Sequence, residues 1–272
     1  ASTILNEVTS TNPSVLEGYT EVHGQAADVI VANPNGITCN GCGFINTPRA
    51  VLSTGTPELD AGTGALTGLD VDRGVVTVEQ LGLDASASAA EIYARAVEIN
   101  GAIQAGELDI VAGRNGINVL TKAATPKADD GSARPQFAID AAALGAMQAG
   151  RIRLIGTEAG VGVRLATDIA TSVNQLEISA DGTISLKNAR SATDVVVNGQ
   201  NIENTGAVYA EHDATINAAE DIENTGLIAA GNAVNLNAEN ITNDKGAIVG
   251  LNAVNLTADD TITNNEGLIE SF

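Results

Sequence analysis

The sequence predicts an all-β protein, specifically a right-handed parallel β-helix with about 20 residues per coil. Three observations indicate this fold: a 20-residue repeat in the last third of the chain, short strand-like runs separated by turn residues, and an aromatic content of only 2%. A compact globule normally fills its core with several large side chains. A stack of thin, regular layers can be filled by Val, Ile, Leu and Ala instead, so the composition favours a repetitive β structure.

The repeat is marked by a glycine that recurs at spacings of 20, 20 and 21 residues. These glycines are Gly206, Gly226, Gly246 and Gly267. Apolar residues follow each of the first three at the second, eighth and tenth positions, and small residues follow at the fourth and twelfth. This alternation is typical of two short strands with a turn between them. An isoleucine before each glycine marks a third strand, and three strands in about 20 residues make one coil of a parallel β-helix.

An asparagine also precedes each of these glycines. The four residues are Asn204, Asn224, Asn243 and Asn264. Stacked coils lie about 4.8 Å apart, so equivalent side chains of successive coils meet at one corner. We expect each amide to bond the amide of the next coil, as in the asparagine stacks of cross-β structures.

The chain carries a net charge of −21, from 34 acidic and 13 basic residues. Nucleic acids and anionic membranes are bound by clustered Lys and Arg, so the composition argues against a nucleic-acid partner. No apolar run approaches the length of a membrane span. Neither an EF-hand pattern nor a glycine-rich calcium repeat is present, and we predict no metal and no cofactor.

A turn-rich stretch follows the apolar run Val29–Val31. The run ends at Asn33-Pro34-Asn35-Gly36, where proline fixes φ while Asn and Gly tolerate φ > 0. A second turn signal, Asn40-Gly41, lies between Cys39 and Cys42. We interpret the stretch as strand, tight turn, cysteine-clamped loop and strand. It offers no convincing nucleophile or base, so we predict no catalytic residue here.

The same stretch resembles the second signature motif of the two-partner secretion (TPS) domain. The resemblance rests on Asn33-Pro34-Asn35-Gly36-Ile37, on the two cysteines and on Phe44-Ile45-Asn46-Thr47. This domain begins the filamentous-haemagglutinin-like exoproteins of Gram-negative bacteria (the TpsA family), which include adhesins, cytolysins and contact-dependent inhibition proteins. The cysteine pair resembles the branch that includes the CdiA, ShlA and HpmA types.

The resemblance covers roughly residues 1–165, and the segment 144–163 resembles the end of the TPS domain. It implies that the domain's opening segment and first signature motif lie upstream of this sequence. We therefore expect a TPS-like secretion domain at 1–165, without its N-terminal part, and a β-helix repeat region of haemagglutinin type at 166–272.

The resemblance also implies a function that is not enzymatic. The domain would be recognised in the periplasm by an outer-membrane TpsB transporter, through its POTRA domains, and would then seed β-helix growth outside the cell. Residues Asn33, Pro34, Asn35, Gly36 and Ile37 would form the motif that the transporter recognises. The full-length protein would be secreted or displayed on the cell surface, where it could meet a receptor on a host or neighbouring cell.

The two cysteines could form a metal half-site, a redox pair or a structural disulfide. A zinc site needs four ligands, and the only histidines, His23 and His212, are far apart in sequence. A thioredoxin-like motif needs a strand-to-helix setting that is absent here. In an exported protein a local disulfide between Cys39 and Cys42 is the favoured interpretation.

The second hypothesis for function is a polysaccharide lyase or hydrolase on a parallel β-helix. The best carboxylate cluster is Asp70, Asp72 and the neighbouring Arg73. Paired acids on one face can serve glycoside hydrolysis. However, such enzymes hold sugars on aromatic platforms that this chain nearly lacks, so a solvated strand edge is favoured for these residues.

Three local predictions concern the middle of the chain. Residues 88–99 could form a helix capped by Ser88 or a strand, and the family resemblance favours a strand. Residues 123–136 carry no periodic pattern and are interpreted as a surface loop. The run from Leu69 to Gly74 and the run from Val75 to Glu79 are interpreted as successive strands.

Overall fold

A computed structural model describes residues 2–272, and all of their regular secondary structure is β. Within these residues there is no helix of the length and apolar character that crosses a membrane. In chain order the strands are β1 Thr3–Glu7, β2 Ser14–Glu21, β3 Asp28–Ala32, β4 Ile37–Ile45, β5 Arg49–Ser53, β6 Thr56–Leu59, β7 Leu66–Val71, β8 Val75–Val78, β9 Leu83–Ala94, β10 Ala96–Ile99, β11 Ala102–Ala112, β12 Asn115–Asn118, β13 Ala124–Pro126, β14 Phe137–Ala141, β15 Ala146–Ala149, β16 Ile152–Gly156, β17 Gly162–Thr171, β18 Leu176–Ser179, β19 Ile184–Ser191, β20 Val195–Gly199, β21 Ile202–Ala210, β22 Ala214–Ala218, β23 Asp221–Asn224, β24 Leu227–Ala230, β25 Ala233–Asp244, β26 Ala247–Gly250, β27 Ala253–Asn265 and β28 Leu268–Ser271.

Parallel pairing between successive coils arranges most strands into three long faces. Face 1 contains β1, β3, β5, β16, β18, β20, β22 and segments of β9, β11, β25 and β27. Face 2 contains β8, β10, β14, β23 and segments of β2, β4, β17, β19, β21, β25 and β27. Face 3 contains β15, β24, β26, β28 and segments of β2, β4, β9, β11, β17, β19 and β21. The predicted parallel β-helix is therefore confirmed.

The interior of the β-helix is filled by one apolar cluster that runs along the axis. Its members come from alternate positions of each strand, such as Ile216 on β22 and Leu236 on β25, which pair in register and are both fully buried. Val, Ile, Leu and Ala dominate this cluster. The low aromatic content thus follows from a thin interior in which each coil stacks branched side chains on those of the next.

A four-stranded antiparallel sheet lies outside the β-helix, in the order β13-β12-β7-β6. Its strands come from two insertions, one between β5 and β8 and the other between β11 and β14, which both leave the corner between faces 1 and 2. The runs 69–74 and 75–79 contain the successive strands β7 and β8, as expected, but β7 pairs with β6 and β12 and so lies outside the β-helix coils. One prediction is corrected here, because the expected surface loop 123–136 contains β13, which pairs with β12.

This extrahelical sheet covers the outer side of face 1 and forms a second apolar core. Ile30, Val51 and Tyr93 project outward from face 1 and are each no more than 1% exposed. Leu69 and Ile117 of the extrahelical sheet pack in the same cluster. Strands buried on both sides read as continuous apolar runs rather than alternating ones, which explains the sequences of β3, β5 and β11.

Residues 88–99 form strands β9 and β10, which confirms the strand prediction for that segment. The change of face falls within long strands such as β9 and β25, where the pairing register shifts.

Candidate functional site

The Asn-Pro-Asn-Gly motif forms the turn from β3 on face 1 to β4 on face 2. The amide nitrogen of Asn33 donates to the backbone oxygen of Asn12 at 3.0 Å and to the hydroxyl of Ser14 at 2.8 Å. Its Oδ1 accepts a hydrogen bond from the backbone nitrogen of Asn35 at 2.9 Å. The backbone nitrogen of Gly36 donates to the backbone oxygen of Asn33 at 3.1 Å. Asn33 thus closes its own turn and ties it to the corner of the preceding coil.

The glycine of the motif has a conformational requirement of its own. Gly36 has a φ of +113°, which residues with a Cβ rarely adopt. A Cβ at this position would also lie 3.2 Å from the backbone oxygen of Val75 in the following coil. Asn35 needs no positive φ, and its amide instead donates to the backbone oxygen of Ser10 at 2.8 Å.

The motif is largely enclosed in the folded domain. Asn33 is 0% exposed and Ile37 is 1% exposed, while Pro34 and Asn35 are half-buried. The following corner stacks closely against the motif, because a Cβ at Gly74 would lie 2.9 Å from the backbone oxygen of Pro34. The folded domain therefore offers little of these side chains to a partner.

Cys39 and Cys42 form a disulfide within β4, between its face 2 and face 3 segments. Both are almost fully buried in the main apolar core, and their Cα atoms lie 5.3 Å apart. The intervening Gly41 has a φ of +76° and donates its backbone N–H to Gly82 of the next coil. This arrangement is a staple at one corner of the β-helix.

A buried charged cluster between face 1 and the extrahelical insertions escaped sequence analysis. Arg49 donates to both carboxylate oxygens of Glu91, at 2.9 and 2.7 Å, and Glu91 is 0% exposed. Lys122 of the second insertion lies 2.8 Å from Glu91 and 3.3 Å from Asp109. The phenol of Tyr93 donates to Glu91 at 2.9 Å, and burial together with this carboxylate raises the pKa of Tyr93 far above its usual range.

No periodic signal connects these residues, which is why the sequence did not reveal the cluster. Glu91 and Asp109 occupy paired positions on adjacent coils, but their spacing of 18 residues differs from the later repeat. The available signal was an acidic residue in each of two otherwise apolar strand ends. Arg151 donates to both oxygens of Asp109, at 3.1 and 2.9 Å, and extends the cluster to the next coil.

The four asparagines that precede the repeat glycines stack at the corner between faces 2 and 3. Asn204 donates to Asn224 at 2.7 Å, Asn224 to Asn243 at 2.8 Å, and Asn243 to Asn264 at 2.7 Å. The first three are at most 1% exposed. The glycine after each asparagine is needed for close stacking, since a Cβ on Gly226 would overlap the backbone oxygen of the preceding coil's glycine.

The remaining candidates have structural partners or lie on the surface. Asp72 forms ion pairs with Lys127 at 2.8 Å and Arg114 at 3.0 Å, and Asp70 also pairs with Lys127. These contacts attach the 127–134 segment to the extrahelical sheet, so the carboxylates are committed to cations of the same chain. Both histidines are exposed, and among residues 2–272 no cluster of His, Cys, Asp and Glu is arranged to hold a metal ion.

A sequence model described as "TPS secretion domain" matches residues 1–186, which include the turn motif, the disulfide and the extrahelical sheet. The chain belongs to the TPS secretion domain family. The match continues beyond residue 165, into the strands that precede the asparagine stack.

Similar proteins include "Toxin CdiA" of Yersinia pestis, 47% identical over 214 residues, which are 78% of this chain. The "16S rRNA endonuclease CdiA" of Enterobacter cloacae is 45% identical over 218 residues, 80% of this chain. In both comparisons this TPS domain spans only 6% of the relative's length. A crystal structure of the filamentous hemagglutinin secretion domain matches with a TM-score of 0.60 and 30% identity, covering 100% of this chain and 76% of that one.

Proposed function

We propose that this TPS domain is the export signal and the folding start of a large two-partner-secreted exoprotein. The partner would be a TpsB-type outer-membrane transporter, which would bind the domain in the periplasm through its POTRA domains. The whole protein would then be secreted, or displayed on the surface of a Gram-negative cell. Family membership supports this proposal, since the matching family is defined as a secretion domain.

One observation supports a particular order of events in the proposed recognition by the transporter. Asn33 and Ile37 are almost completely buried, and the polar atoms of Asn33 and Asn35 are used within the fold. A transporter that reads these side chains must therefore meet them before the coil closes. We infer that the motif has two successive roles: it is recognised in the unfolded chain, and it then stabilises the corner between β3 and β4 of the β-helix.

The distribution of contacts supports the nucleation step. The disulfide, the buried charged cluster and the extrahelical sheet all lie before residue 160, whereas the later coils contact only their neighbours. Repeats that contact only their neighbours nucleate poorly alone but add readily to a preformed end. The N-terminal half would supply that end after export.

The relatives suggest a passenger for this domain. Proteins 47% and 45% identical to this chain are named as a toxin and an rRNA endonuclease of the CdiA type. We propose that the present domain leads a contact-dependent inhibition protein, whose effector and receptor-binding regions lie outside residues 1–272. An adhesin or cytolysin passenger would be served by the same module.

Export of the full-length exoprotein beside its transporter tests the recognition step. We expect Gly36→Val and Asn35→Ala to leave the protein in the periplasm, while Leu236→Ala, which creates a cavity in the repeat core, is still exported. The matched control is Gly74→Val, because Gly74 has a φ of +88° and packs on the same corner without belonging to the motif. If Gly74→Val blocks export as strongly as Gly36→Val, or if all variants are exported equally, the motif is structural only.

A further inference from the structure

The outer surface of the C-terminal coils has a different chemistry on each face. Face 1 presents amide side chains, such as Asn217 and Asn237, which bond each other at 2.8 Å. Face 2 presents acidic residues, including Glu203 and Glu223 at paired positions. Between Arg190 and Glu270, face 3 presents uncharged apolar side chains that are exposed or half-buried. An exposed apolar face is unusual on a chain whose net charge is −21, and such patches commonly mark contacts with another molecule.

The apolar surface of face 3 consists of two parallel rows of outward side chains. The register of β21, β24 and β26 aligns them across three successive coils. One row holds Tyr209, Ala229 and Val249, and the other holds Ala207, Leu227 and Ala247. We call these six residues the apolar strip.

Opposite charges stand at the two ends of the apolar strip. Arg190 pairs in register with Tyr209 on one side, and Glu270 pairs with Val249 on the other. Along this row Arg190 and Glu270 each lie two coils from Ala229. Ala229 is therefore the midpoint of a row whose ends carry a cation and an anion.

Arg190 can bind a further carboxylate. Its guanidinium lies 5.4 Å from the centroid of the Tyr209 ring and donates to Glu211 at 2.7 Å. The side chain nevertheless remains 66% exposed, so donors of the guanidinium fork still face solvent. The ring contact holds the charged group over the end of the apolar strip.

We propose that face 3 is a self-association surface, on which a second copy of this chain packs antiparallel about a two-fold axis through Ala229. This arrangement reverses the order of the coils and keeps each row opposite itself. Ala229 and Leu227 would each meet their own equivalents, and Tyr209 would lie opposite the second copy's Val249. Arg190 of each copy would meet the second copy's Glu270, giving two symmetric ion pairs.

The charge pattern favours this order over the parallel one. Parallel packing would bring the two Arg190 side chains to one level and the two Glu270 side chains to another, so that like charges are neighbours. The other two faces are less suitable, since face 2 is acidic and the amides of face 1 already bond one another. Flat β-sheets pack face to face at a separation of about 10 Å, which suits short apolar side chains.

The small size of the surface limits the expected strength of association. Four strand spacings separate Arg190 from Glu270, so the contact is about 20 Å long and two residue rows wide. Such an area lies below the roughly 1,200 Å² that is typical of stable complexes. We therefore expect a weak dimer, with a dissociation constant between about 100 μM and 1 mM, rather than a permanent one.

Sedimentation equilibrium of the purified chain at about 10 μM to 1 mM tests the proposal. The wild-type chain should show a monomer–dimer equilibrium, and Leu227→Asp should abolish the dimer. Arg190→Glu and Glu270→Arg should each weaken dimerisation about ten-fold, and the double variant should recover most of the loss. Glu223→Arg on face 2 is the matched control, for which no such loss is expected. Circular dichroism verifies that every variant is folded.

Three outcomes would overturn the proposal. The first is a wild-type chain that stays monomeric up to 1 mM. The second is a dimer that ignores both single charge reversals or whose double variant shows no recovery, which would exclude antiparallel pairing. The third is association that Ile262→Asp, at the 49% exposed isoleucine of the last coil, removes while Leu227→Asp does not, which would place the contact at the end of the β-helix.

Discussion

Arg49 and Glu91 form a two-point ion pair between face 1 and the extrahelical insertions, with donor–acceptor distances of 2.9 and 2.7 Å. The two residues lie on adjacent coils, and Lys122 reaches the same carboxylate from the second insertion. One buried carboxylate thus joins two coils of the β-helix to a segment that leaves it. The insertion is thereby fixed to the stacked coils.

Removing this carboxylate should destabilise the domain strongly. Glu91→Ala leaves Arg49, whose side chain is only 18% exposed, without its hydrogen-bonded carboxylate, and we expect a loss of about 3–5 kcal/mol in the free energy of unfolding. Denaturant titration measures the change. Arg153→Ala is the matched control on the same face, because its ion pair with Glu177 is long at 3.8 Å and should contribute less than about 1 kcal/mol. Equal effects of the two variants would contradict a structural role for the buried cluster.

Acid should weaken the attachment of the 127–134 segment. The hydrogen bond from Lys127 lowers the pKa of Asp72 below its ordinary value of 3.8, with a further contribution from Arg114. A carboxylate whose pKa is lower in the folded state stabilises the fold above its unfolded pKa, and this contribution is lost as the pH falls through the folded pKa. We expect wild type to be more stable than Asp72→Asn at pH 6, with the gap closing as the pH falls below about 4, the ordinary pKa of an aspartate. Denaturation midpoints at several pH values measure the gap, and a gap independent of pH would contradict this account.

The repeat glycines should be intolerant of even one added methyl group. A Cβ at Gly226 would overlap the backbone oxygen of Gly206, so Gly226→Ala must force two coils apart and should cost about 3 kcal/mol or more. Gly116 of β12 provides the control, since nothing lies within 4 Å of a Cβ built there. Thermal unfolding should show a large decrease in Tm for the first variant and little change for the second. A neutral Gly226→Ala would mean that the coils are less tightly stacked than described.

The cysteines should be oxidised in secreted material. Mass spectrometry after alkylation without reductant should find no modified thiol at Cys39 or Cys42. Closing so short a loop is worth roughly 2 kcal/mol on the chain-entropy model, so Cys39→Ser with Cys42→Ser should lower stability by a similar amount. Two alkylated cysteines in protein recovered from the medium would contradict the disulfide assignment.

The repeat region could be predicted from sequence because each coil repeats the same pattern of residues. Asn204, Asn224 and Asn243 occupy equivalent positions, and their spacing alone indicates that their side chains meet. Period-2 alternation reports an outer side exposed to water, which these coils have.

The N-terminal half contains strand pairings that the spacing of residues in the sequence does not reveal. The pairing of β7 with β12 joins segments more than 40 residues apart and depends on two insertions leaving the same corner. Tyr93 shows the consequence, since it projects outward from face 1 and is still 0% exposed. The continuous apolar runs of β3 and β11 were the available sign that something covers face 1. The turn motif was found by resemblance, but its burial in the folded state required the structure.

Recognition of the unfolded motif by the transporter is the central claim, and direct binding tests it most closely. A peptide spanning residues 26–47 and the folded chain 1–272 would be titrated separately against the purified periplasmic POTRA domains of the cognate transporter. We expect the peptide to bind at least ten-fold more tightly than the folded chain, and Asn35→Ala in the peptide to weaken binding. A folded chain that binds as tightly as the peptide, or a peptide that does not bind, would contradict the account.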